Sequence, residues 1–496
     1  MLSPLESLRN WLPIANTHGN SSEINALRTW LDSHGGTPAA DIASALALRL
    51  PQLLSRQKNI HMQLRLVDSF TNFAERILPN IEEEVTWAPL PLPAEVRTKA
   101  LAADNLLKAL VSGYGAIVAA IEARRWSLGL RHLLQASLLR TMETIERRQG
   151  LAYRAYTCPS PASWLKLHHF YCIARQRDLT GSTKDPKSIE QVYARALLLA
   201  LSDPTKRSRY DLASLSASIR QMLPLTRFGT QHELRDDKQW SPAMFPLPAS
   251  NTRFLHPWAD AADARAGDGL LLDTRRVVAE LKRCLAEDIA ALPCTRQLAE
   301  SLAEMWNRPL PRRFSRSRLK PKADVISGIP AVAQYVQGSF ARRKTDGVDS
   351  VPLRISEWYI VNESPDGFGL RYGHGEADSL DVGDLIGVRP RERTRMHICI
   401  VRRVADSGHG RFEVGVQELS PMALPIPIAN GDPSRNDEGI LLPRMPAFAN
   451  ASGLAAPRGL LTAGGEIHWN RDGLEFRHRI ERRIEGNHRT ELFLLA

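Results

Sequence analysis

Residues 358–367 read Trp358-Tyr359-Ile360-Val361-Asn362-Glu363-Ser364-Pro365-Asp366-Gly367, and this stretch decides the fold of the C-terminal half. Its first four residues are aromatic or β-branched, which is typical of a strand. Its last four are turn formers. Gly367 lacks Cβ and therefore permits a positive φ and a close approach of another group. The stretch predicts a strand that ends in a tight turn, although an ordinary β-turn has the same composition.

Short strand patterns surround this segment on both sides. They are predicted at 322–326, 369–372, 385–388, 396–404 and 411–417, with turn clusters between them. Several short strands at close spacing indicate a small closed barrel. Strand patterns continue after it, at 440–442, 459–461, 466–468 and around Phe476 and 491–494. Residues 421–496 are therefore expected to be a β-rich extension of the barrel rather than an enzyme domain.

The N-terminal half has the periodicity of helices. Apolar residues recur at three- and four-residue spacing over 63–78, where Pro79 is expected to end the helix, and Pro93 is expected to open the next one. Thr37 is expected to cap an earlier helix, and further helices are predicted at 188–201, 211–223 and 270–303, the last interrupted near Pro293. Residues 226–305 combine a proline- and aromatic-rich connection with the last of these helices.

The predicted fold class is thus α+β with several domains: an all-helical N-terminal region, then a small β-barrel with a β extension. The expected division is 1–225 for the helical region, 226–305 for the connection, 306–420 for the barrel and 421–496 for the extension. A chain of 496 residues is too long for one ordinary core, which agrees with this division.

Composition narrows the class of partner. Hydrophobic content of 43% and charged content of 24% are values of globular proteins. The net charge of +11 and the pI of about 9.6 indicate an anionic partner, namely a nucleotide, a nucleic acid or a membrane surface. The alternative is an arginine-rich surface with no specific partner.

The motifs that the sequence lacks lead to expectations about where the protein acts and which chemistry it performs. Five cysteines without a C-x-x-C pair favour a reducing cytoplasm and argue against disulfides or a structural zinc site. Neither a signal peptide nor an apolar run of about 20 residues is evident, so no transmembrane segment is expected. No catalytic motif is found, so we expect neither an enzyme nor a metal or other cofactor.

A basic run precedes the first predicted strand. Residues 308–322 contain no acidic residue and seven basic ones. These are Arg308, Arg312, Arg313, Arg316, Arg318, Lys320 and Lys322. Guanidinium groups pair bidentately with phosphate or with the O6/N7 edge of guanine, and they also stack on bases. The alternative interpretations are a solvated basic linker or an arm that contacts RNA or an acidic protein.

Together, the arginines at 312 and 316 and the later Asn-x-Ser-x-x-Gly turn resemble the signature of PilZ domains, which are small β-barrels that bind cyclic di-GMP. The similarity covers roughly residues 310–420, under a quarter of the chain, and includes Val382–Ile386, Ile400–Arg403 and Glu413–Gln417. By this resemblance Arg312 and Arg316 clamp guanines and phosphates, with Arg313 as a possible helper. Asn362, Ser364 and Gly367 form the floor of the pocket. The gap from Arg316 to Asn362 is long for this family, and residues 340–352 are expected to be an inserted loop.

The resemblance implies a bacterial, cytoplasmic receptor for the second messenger cyclic di-GMP, with the helical region as an output module that binds a protein partner. Biofilm formation and motility are among the pathways that remain open. One alternative is a PilZ-like scaffold that has lost its ligand. Another is a nucleic-acid-binding protein that uses the run 308–322, in which case all its basic residues contribute and salt weakens binding steeply.

Overall fold

The computed structural model describes most of the chain with several gaps. The described residues are 29, 36–124, 128–230, 232–234, 244–246, 270–287, 289–307, 321–341, 353–375, 379–393, 395–406, 411–429, 436–471 and 474–496. Arg312, Arg313 and Arg316 therefore lie outside them.

The chain divides into two compact units. The first contains residues 1–88, 92–204 and 213–310, and the second contains 89–91, 205–212 and 311–496. The two short early segments belong to the second unit through the loop at 379–384. Leu380 N–H donates to Leu90 O at 3.2 Å, and the Arg209 guanidinium lies 3.3 Å from Asp381 Oδ2. Burial raises the pKa of Asp381, although the Arg209 charge opposes the shift.

The N-terminal half is helical, as predicted. Its helices are α1 (Ala39–Arg56), α2 (Ile60–Trp87), α3 (Ala94–Glu122), α4 (Leu128–Arg154), α5 (Pro161–Gln176), α6 (Ile189–Leu201), α7 (Arg209–Met222), α8 (Arg275–Glu287) and α9 (Arg296–Met305).

Helix α2 continues past the residue that was expected to end it. Asn59 caps its start by accepting hydrogen bonds from the N–H groups of His61 and Met62. Pro79 lies inside the helix and removes one backbone donor. Ile81 and Val85 are buried beyond it. Their burial compensates for the lost hydrogen bond, so the prediction of an end at Pro79 was wrong.

Two of the predicted helix starts are confirmed, and two differ from the prediction. Pro93 precedes α3 and Ser188 caps α6, as the sequence indicates. Pro38, not Thr37, is the N-cap residue of α1, and it makes no side-chain cap. Helix α7 begins at Arg209, and Ser208 Oγ accepts from Asp211 N–H at 3.2 Å.

Among the described residues, helix α3 is a candidate for a membrane span, although the sequence analysis expects no such segment. By length and composition this helix is apolar enough to cross one. Half of its most apolar window is buried inside the first unit, where it packs against α1, α2 and α4. The core helix of a soluble protein has the same properties, so this observation is weak evidence for a membrane span.

The region 270–303 is only partly helical. Residues 271–273 form strand β3, which pairs with β1 (Arg227–Gly229) and β2 (Met244–Pro246) in the order β1-β3-β2. Leu271 and Leu272 are buried in this small sheet. The prediction of a helix was therefore wrong at 271–273, whereas α8 and α9, on either side of Pro293, confirm a helical region with an interruption there.

The second unit contains the predicted barrel, which is closed. Its strands run in the order β4-β5-β6-β9-β8-β7. They are β4 (Lys322–Ser327), β5 (Ser356–Ser364), β6 (Gly367–His374), β7 (Leu385–Pro390), β8 (His397–Asp406) and β9 (Phe412–Ser420). Period-two alternation points Trp358, Leu370 and Val414 into the barrel, where they are buried.

A helix that the sequence did not indicate lies between β4 and β5. Helix α10 (Ile329–Ala341) occupies part of the long gap between the basic run and Asn362. Ile329, Val332, Ala333 and Val336 form one buried stripe along it. This stripe covers the outer side of the barrel at Ile326, Leu385, Ile398, Ile400 and Leu419.

The expected β extension forms a second, six-stranded sheet of order β10-β11-β12-β15-β14-β13. Its strands are β10 (Leu424–Ala429), β11 (Asn436–Met445), β12 (Ala451–Pro457), β13 (Glu466–Arg471), β14 (Leu474–Gly486) and β15 (Thr490–Leu495). One face joins the core around α10, and the other encloses a core with Trp469 and Phe493. Pro425 and Pro427 lie on the edge strand β10, where a missing donor is tolerated.

Two glycines of the second unit allow the effect of backbone conformation on stability to be measured apart from the effect of packing. A Cβ added to Gly338 in α10 or to Gly464 before β13 meets nothing within 4 Å, but only Gly464 has a positive φ, of 84°. We expect Gly338→Ala to raise the free energy of unfolding by up to about 1 kcal/mol. Gly464→Ala should lower it by about as much, because alanine is strained there.

Urea unfolding followed by tryptophan fluorescence measures both variants. Equal effects of the two substitutions would contradict this assignment of backbone conformations.

Candidate functional site

The predicted turn joins β5 to β6 at one end of the barrel. Ser364 pairs with Gly367, so Pro365 and Asp366 form a two-residue turn. Ser364 Oγ donates to Gly367 O at 3.3 Å, and Glu418 N–H donates to Asp366 O at 2.8 Å. These bonds fix the turn against strand β9.

Gly367 is required by the backbone, as the sequence indicated. Its φ is 146°, and a Cβ there would lie 2.1 Å from Val416 O. That distance is far below any van der Waals contact, so only glycine allows β6 to pair with β9 at this point. A substitution at Gly367 would damage the barrel itself and would not report on a ligand.

Asn362 lies opposite another glycine across the hairpin. It pairs with Gly369, and its side chain covers that residue so closely that a Cβ on Gly369 would lie 2.6 Å from its amide atoms. Gly369 in turn pairs with Gly415 of β9, and Gly415 pairs with Arg403 of β8. We call Asn362, Gly369, Gly415 and Arg403 the cross-barrel row.

The cross-barrel row is on the outside of the barrel. The residues next to it along the strands, Phe368, Leu370, Val414, Val416 and Val404, are buried in the interior. Because successive side chains of a strand alternate between faces, the row faces outward. Helix α10 covers the strands on a different side, through Leu385, Ile398 and Ile400. The row is therefore an outer surface in which the Asn362 side chain covers Gly369, and Gly415 has only Arg403 near its Cβ position.

A β-bulge brings two consecutive arginines to this surface. Val401 pairs with Val416 and Arg403 pairs with Gly415, so Arg402 is an extra residue in β8. Arg402 is held by two groups: Gln417 Oε1 at 2.8 Å and the carboxylate of Glu485 in the extension, whose Oε1 lies 2.7 Å from Nη2. Arg403 is exposed, and no ion pair to it is found among the described residues.

The other arginines on the described barrel strands are neutralised, as are two arginines that follow β7. Arg371 pairs with Glu413, and Arg393 pairs with Glu363. Arg391 Nε lies 3.0 Å from Asp324 Oδ1, and Arg389 also pairs with Asp324. Burial alone would raise the pKa of Asp324, but the hydrogen bonds from Arg389 and Arg391 hold it below its usual value. Arg403 thus differs from them in having its charge available.

The chain enters β4 beside the part of β5 that runs toward the turn. Pro321 O accepts a hydrogen bond from Ile360 N–H at 2.9 Å, and Lys322 pairs with Tyr359. Because β4 and β5 are antiparallel, the N-terminal end of β4 lies toward the Asn362 end of β5.

Of the six residues predicted for the site, three are therefore described: Asn362, Ser364 and Gly367 lie together at one end of the barrel. The positions of Arg312, Arg313 and Arg316 are not described, and their roles remain predictions. The sequence did not identify Gly369, Gly415 and Arg403. Glycines on neighbouring strands were visible as residues, but the pairing that brings them together depends on the register and on the bulge at Arg402.

Metal binding finds no support in the described part of the chain, where no group of three or more histidine, cysteine, aspartate or glutamate side chains could hold an ion. His168 is buried in the first unit, and burial lowers its pKa to about 4.

Comparisons with known proteins match both halves of the chain. Residues 25–233 match the family model of the N-terminal domain of the cyclic-di-GMP receptor FimW. Residues 333–425 match the model of its middle PilZ domain. The cyclic-di-GMP receptor FimW of Pseudomonas aeruginosa is 22% identical over 575 aligned residues, which cover 97% of this chain and 92% of the relative. The resemblance of the C-terminal part to PilZ domains and the α+β fold class are confirmed.

The contact between Asn362 and Gly369 can be tested with two matched glycine-to-alanine variants. Gly369→Ala must displace the Asn362 amide and should destabilise the second unit by about 1–3 kcal/mol, as overpacking does. Gly415→Ala should change stability by less than about 0.5 kcal/mol, because its Cβ would meet Arg403 Cβ at an ordinary 3.5 Å.

The double variant Asn362→Ala/Gly369→Ala completes a cycle, measured by urea unfolding. The cost of Gly369→Ala should largely disappear once the Asn362 amide is removed. If Gly369→Ala destabilises the Asn362→Ala variant as much as it destabilises the unmodified chain, the Asn362 amide does not contact Gly369.

Proposed function

We propose that this chain, whose C-terminal barrel is a PilZ domain, is a bacterial cyclic di-GMP receptor that acts in the cytoplasm and couples ligand binding to a helical output region. The observation that supports the proposal is that the chain enters β4 beside Tyr359 and Ile360, on the part of β5 that leads to the Asn362–Gly367 turn. The matches to FimW domain models over 25–233 and 333–425 support the same function.

The proposed site has an arginine clamp and a flat floor. Arg312 and Arg316 grip guanines and phosphates, and Arg313 assists them. Bidentate guanidinium groups suit both phosphate oxygens and the O6/N7 edge of guanine. Asn362 and Ser364 offer hydrogen-bonding groups, Gly367 fixes the turn that forms the floor, and Gly415 leaves room for a purine to lie close to the sheet. Arg403 adds a cation at the far end of the cross-barrel row.

The excess of basic over acidic side chains in residues 308–320 favours a doubly charged anion as the ligand. Most arginines on the described barrel strands already have acidic partners, whereas residues 308–320 contain six basic side chains and no acidic one. A dianionic dinucleotide that bridges this segment and Arg403 gains charge-assisted hydrogen bonds at both ends.

Coupling arises from the segment that carries the clamp. Residues 308–320 include the boundary between the two units, at 310/311. A ligand that orders this segment shifts the population of states available to the chain. At micromolar affinity about 8 kcal/mol of binding free energy is available, which is enough to move a two-state equilibrium if most of it is specific to one state.

The helical region is proposed to bind a protein partner, and the chain is proposed to act as a receptor without catalysis and without a bound cofactor. What supports the first point is the extent of the helical half, which matches the N-terminal domain model separately from the PilZ domain. What supports the second is the absence of any catalytic motif from the sequence.

The clamp is tested by two arginines of the same run. Arg316→Ala should weaken cyclic di-GMP binding at least about tenfold, the cost of losing a charge-assisted hydrogen bond. Arg318→Ala is the control and should bind nearly as well as the unmodified chain. Calorimetric titration of the purified protein measures both, with cyclic di-AMP and GTP as control ligands.

Equal losses in the two variants would favour nonspecific binding of an anion by the whole run. Absence of any heat with cyclic di-GMP would favour a ligand-free scaffold instead.

The role of Arg403 is tested separately. Arg403→Ala should weaken cyclic di-GMP binding roughly three- to tenfold and reduce its dependence on salt, because an exposed cation contributes mainly a screened charge interaction. Arg479→Ala, which removes an exposed arginine from β14, is the matched control. Calorimetric titrations at two salt concentrations measure both effects. Unchanged affinity in Arg403→Ala would remove this residue from the site.

A further inference from the structure

A polar cavity of about 220 Å³ lies in the first unit, among residues that the PilZ domain does not include. It is formed by the last turns of α5, the start of α6 and strand β1. The lining side chains that define its chemistry are Tyr171, Arg175, Thr180, Glu190, Arg227 and Phe228. The volume is below the range of drug-sized pockets, so it suits a single ring system and not a whole dinucleotide.

One wall of the cavity is aromatic and rigid. Tyr171 stacks on the fully buried Tyr193 with ring centroids 3.9 Å apart and planes inclined by 17°. Phe228 lies 5.6 Å from Tyr193 and 5.7 Å from Tyr171 by ring centroids, so the three rings form one cluster. Because Tyr171 is only 3% exposed, Phe228, held by the two tyrosines, is the main aromatic surface that the cavity offers. Aromatic surfaces of this kind bind the faces of planar heterocycles.

Glu190 provides an acceptor of hydrogen bonds on a second side. Its backbone N–H donates to Thr180 O at 2.9 Å, which fixes the first turn of α6. Burial raises the pKa of its carboxyl to about 6, although a hydrogen bond from the Thr183 backbone and the charge of Arg175 both oppose the shift. Most of the group is therefore ionised at pH 7.5. No ion pair to Glu190 within 4 Å is found among the described residues.

Arg175 provides the matching donor. It lines the cavity from the last turn of α5, and in the described part of the chain no carboxylate pairs with it. The other acidic lining residue, Glu233, is already engaged, because its Oε2 accepts Thr230 N–H at 2.6 Å. The cavity therefore offers the Glu190 carboxylate, which accepts one backbone hydrogen bond and has a second oxygen for a ligand, and the Arg175 guanidinium beside an aromatic wall.

We propose that this cavity binds a guanine base, as part of a guanosine mononucleotide, at a site separate from the PilZ barrel. Guanine combines neighbouring donors, the N1 and N2 hydrogens, with acceptors at O6 and N7. A carboxylate accepts from the donors, a guanidinium donates to the acceptors, and the rings cover the face. Adenine presents an amino donor where guanine has O6 and lacks the N2 amine, so the arrangement discriminates against it.

The test uses the full chain with GMP as the probe, in the Asn362→Ala/Arg403→Ala background, which weakens the proposed barrel site. Calorimetry should show one saturable site that binds GMP at least tenfold more tightly than AMP. Glu190→Gln should weaken GMP binding at least tenfold, since it exchanges the charged acceptor for a neutral amide of the same shape. Glu300→Gln, an exposed change in α9, should leave it unchanged.

A second variant guards against a failure to fold. Arg175 is exposed, so Arg175→Ala should retain the helical circular dichroism of the parent while losing GMP affinity by a similar factor. No saturable GMP binding, equal binding of AMP, or unchanged affinity in both Glu190→Gln and Arg175→Ala would overturn the proposal.

A failure of the proposed GMP site can be distinguished from a failure of the proposed receptor function. Loss of cyclic di-GMP binding in the barrel variants with GMP binding retained concerns only the barrel. Retained cyclic di-GMP binding in Glu190→Gln, with GMP binding lost, supports two separate sites.

Discussion

The hydrogen bond from Ile360 N–H to Pro321 O is the interaction on which the account of the second unit depends. It begins the antiparallel pairing of β4 with β5 and so determines from which end the chain enters the barrel. If β4 ran parallel to β5, the chain would enter β4 at the end of the barrel opposite to the turn. The function proposed for the arginines follows from this direction and not from their number.

A second constraint is which part of the barrel surface remains open. Helix α10 and one face of the extension sheet cover the side formed by β7, β8 and the end of β9, through a continuous apolar core. The cross-barrel row lies outside that core. The extension also reaches its rim, because Glu485 neutralises Arg402 and leaves the neighbouring Arg403 with its charge available. The extension thus limits both the area and the charge of the open surface.

Local patterns predicted much of this fold, because local physics determines it. Alternation identified the barrel strands, and the need for a positive φ identified Gly367. Helix α10 was missed, because a short apolar stripe beside a polar stretch was taken as part of a long gap. The prediction that Pro79 ends α2 failed because burial of Ile81 and Val85 is a tertiary effect. The cross-barrel row was equally out of reach, since it depends on the register of four strands and on one bulged residue.

Hydrogen–deuterium exchange with and without cyclic di-GMP tests the central claim most directly. Peptides covering 308–321 and 360–369 should become protected together on adding the ligand, and GTP should not reproduce the effect. This result is expected because one small anion then contacts both the entry segment and the turn. Protection of only one of these two regions, or of neither, would contradict the convergence of the arginine clamp with the Asn362–Gly367 turn.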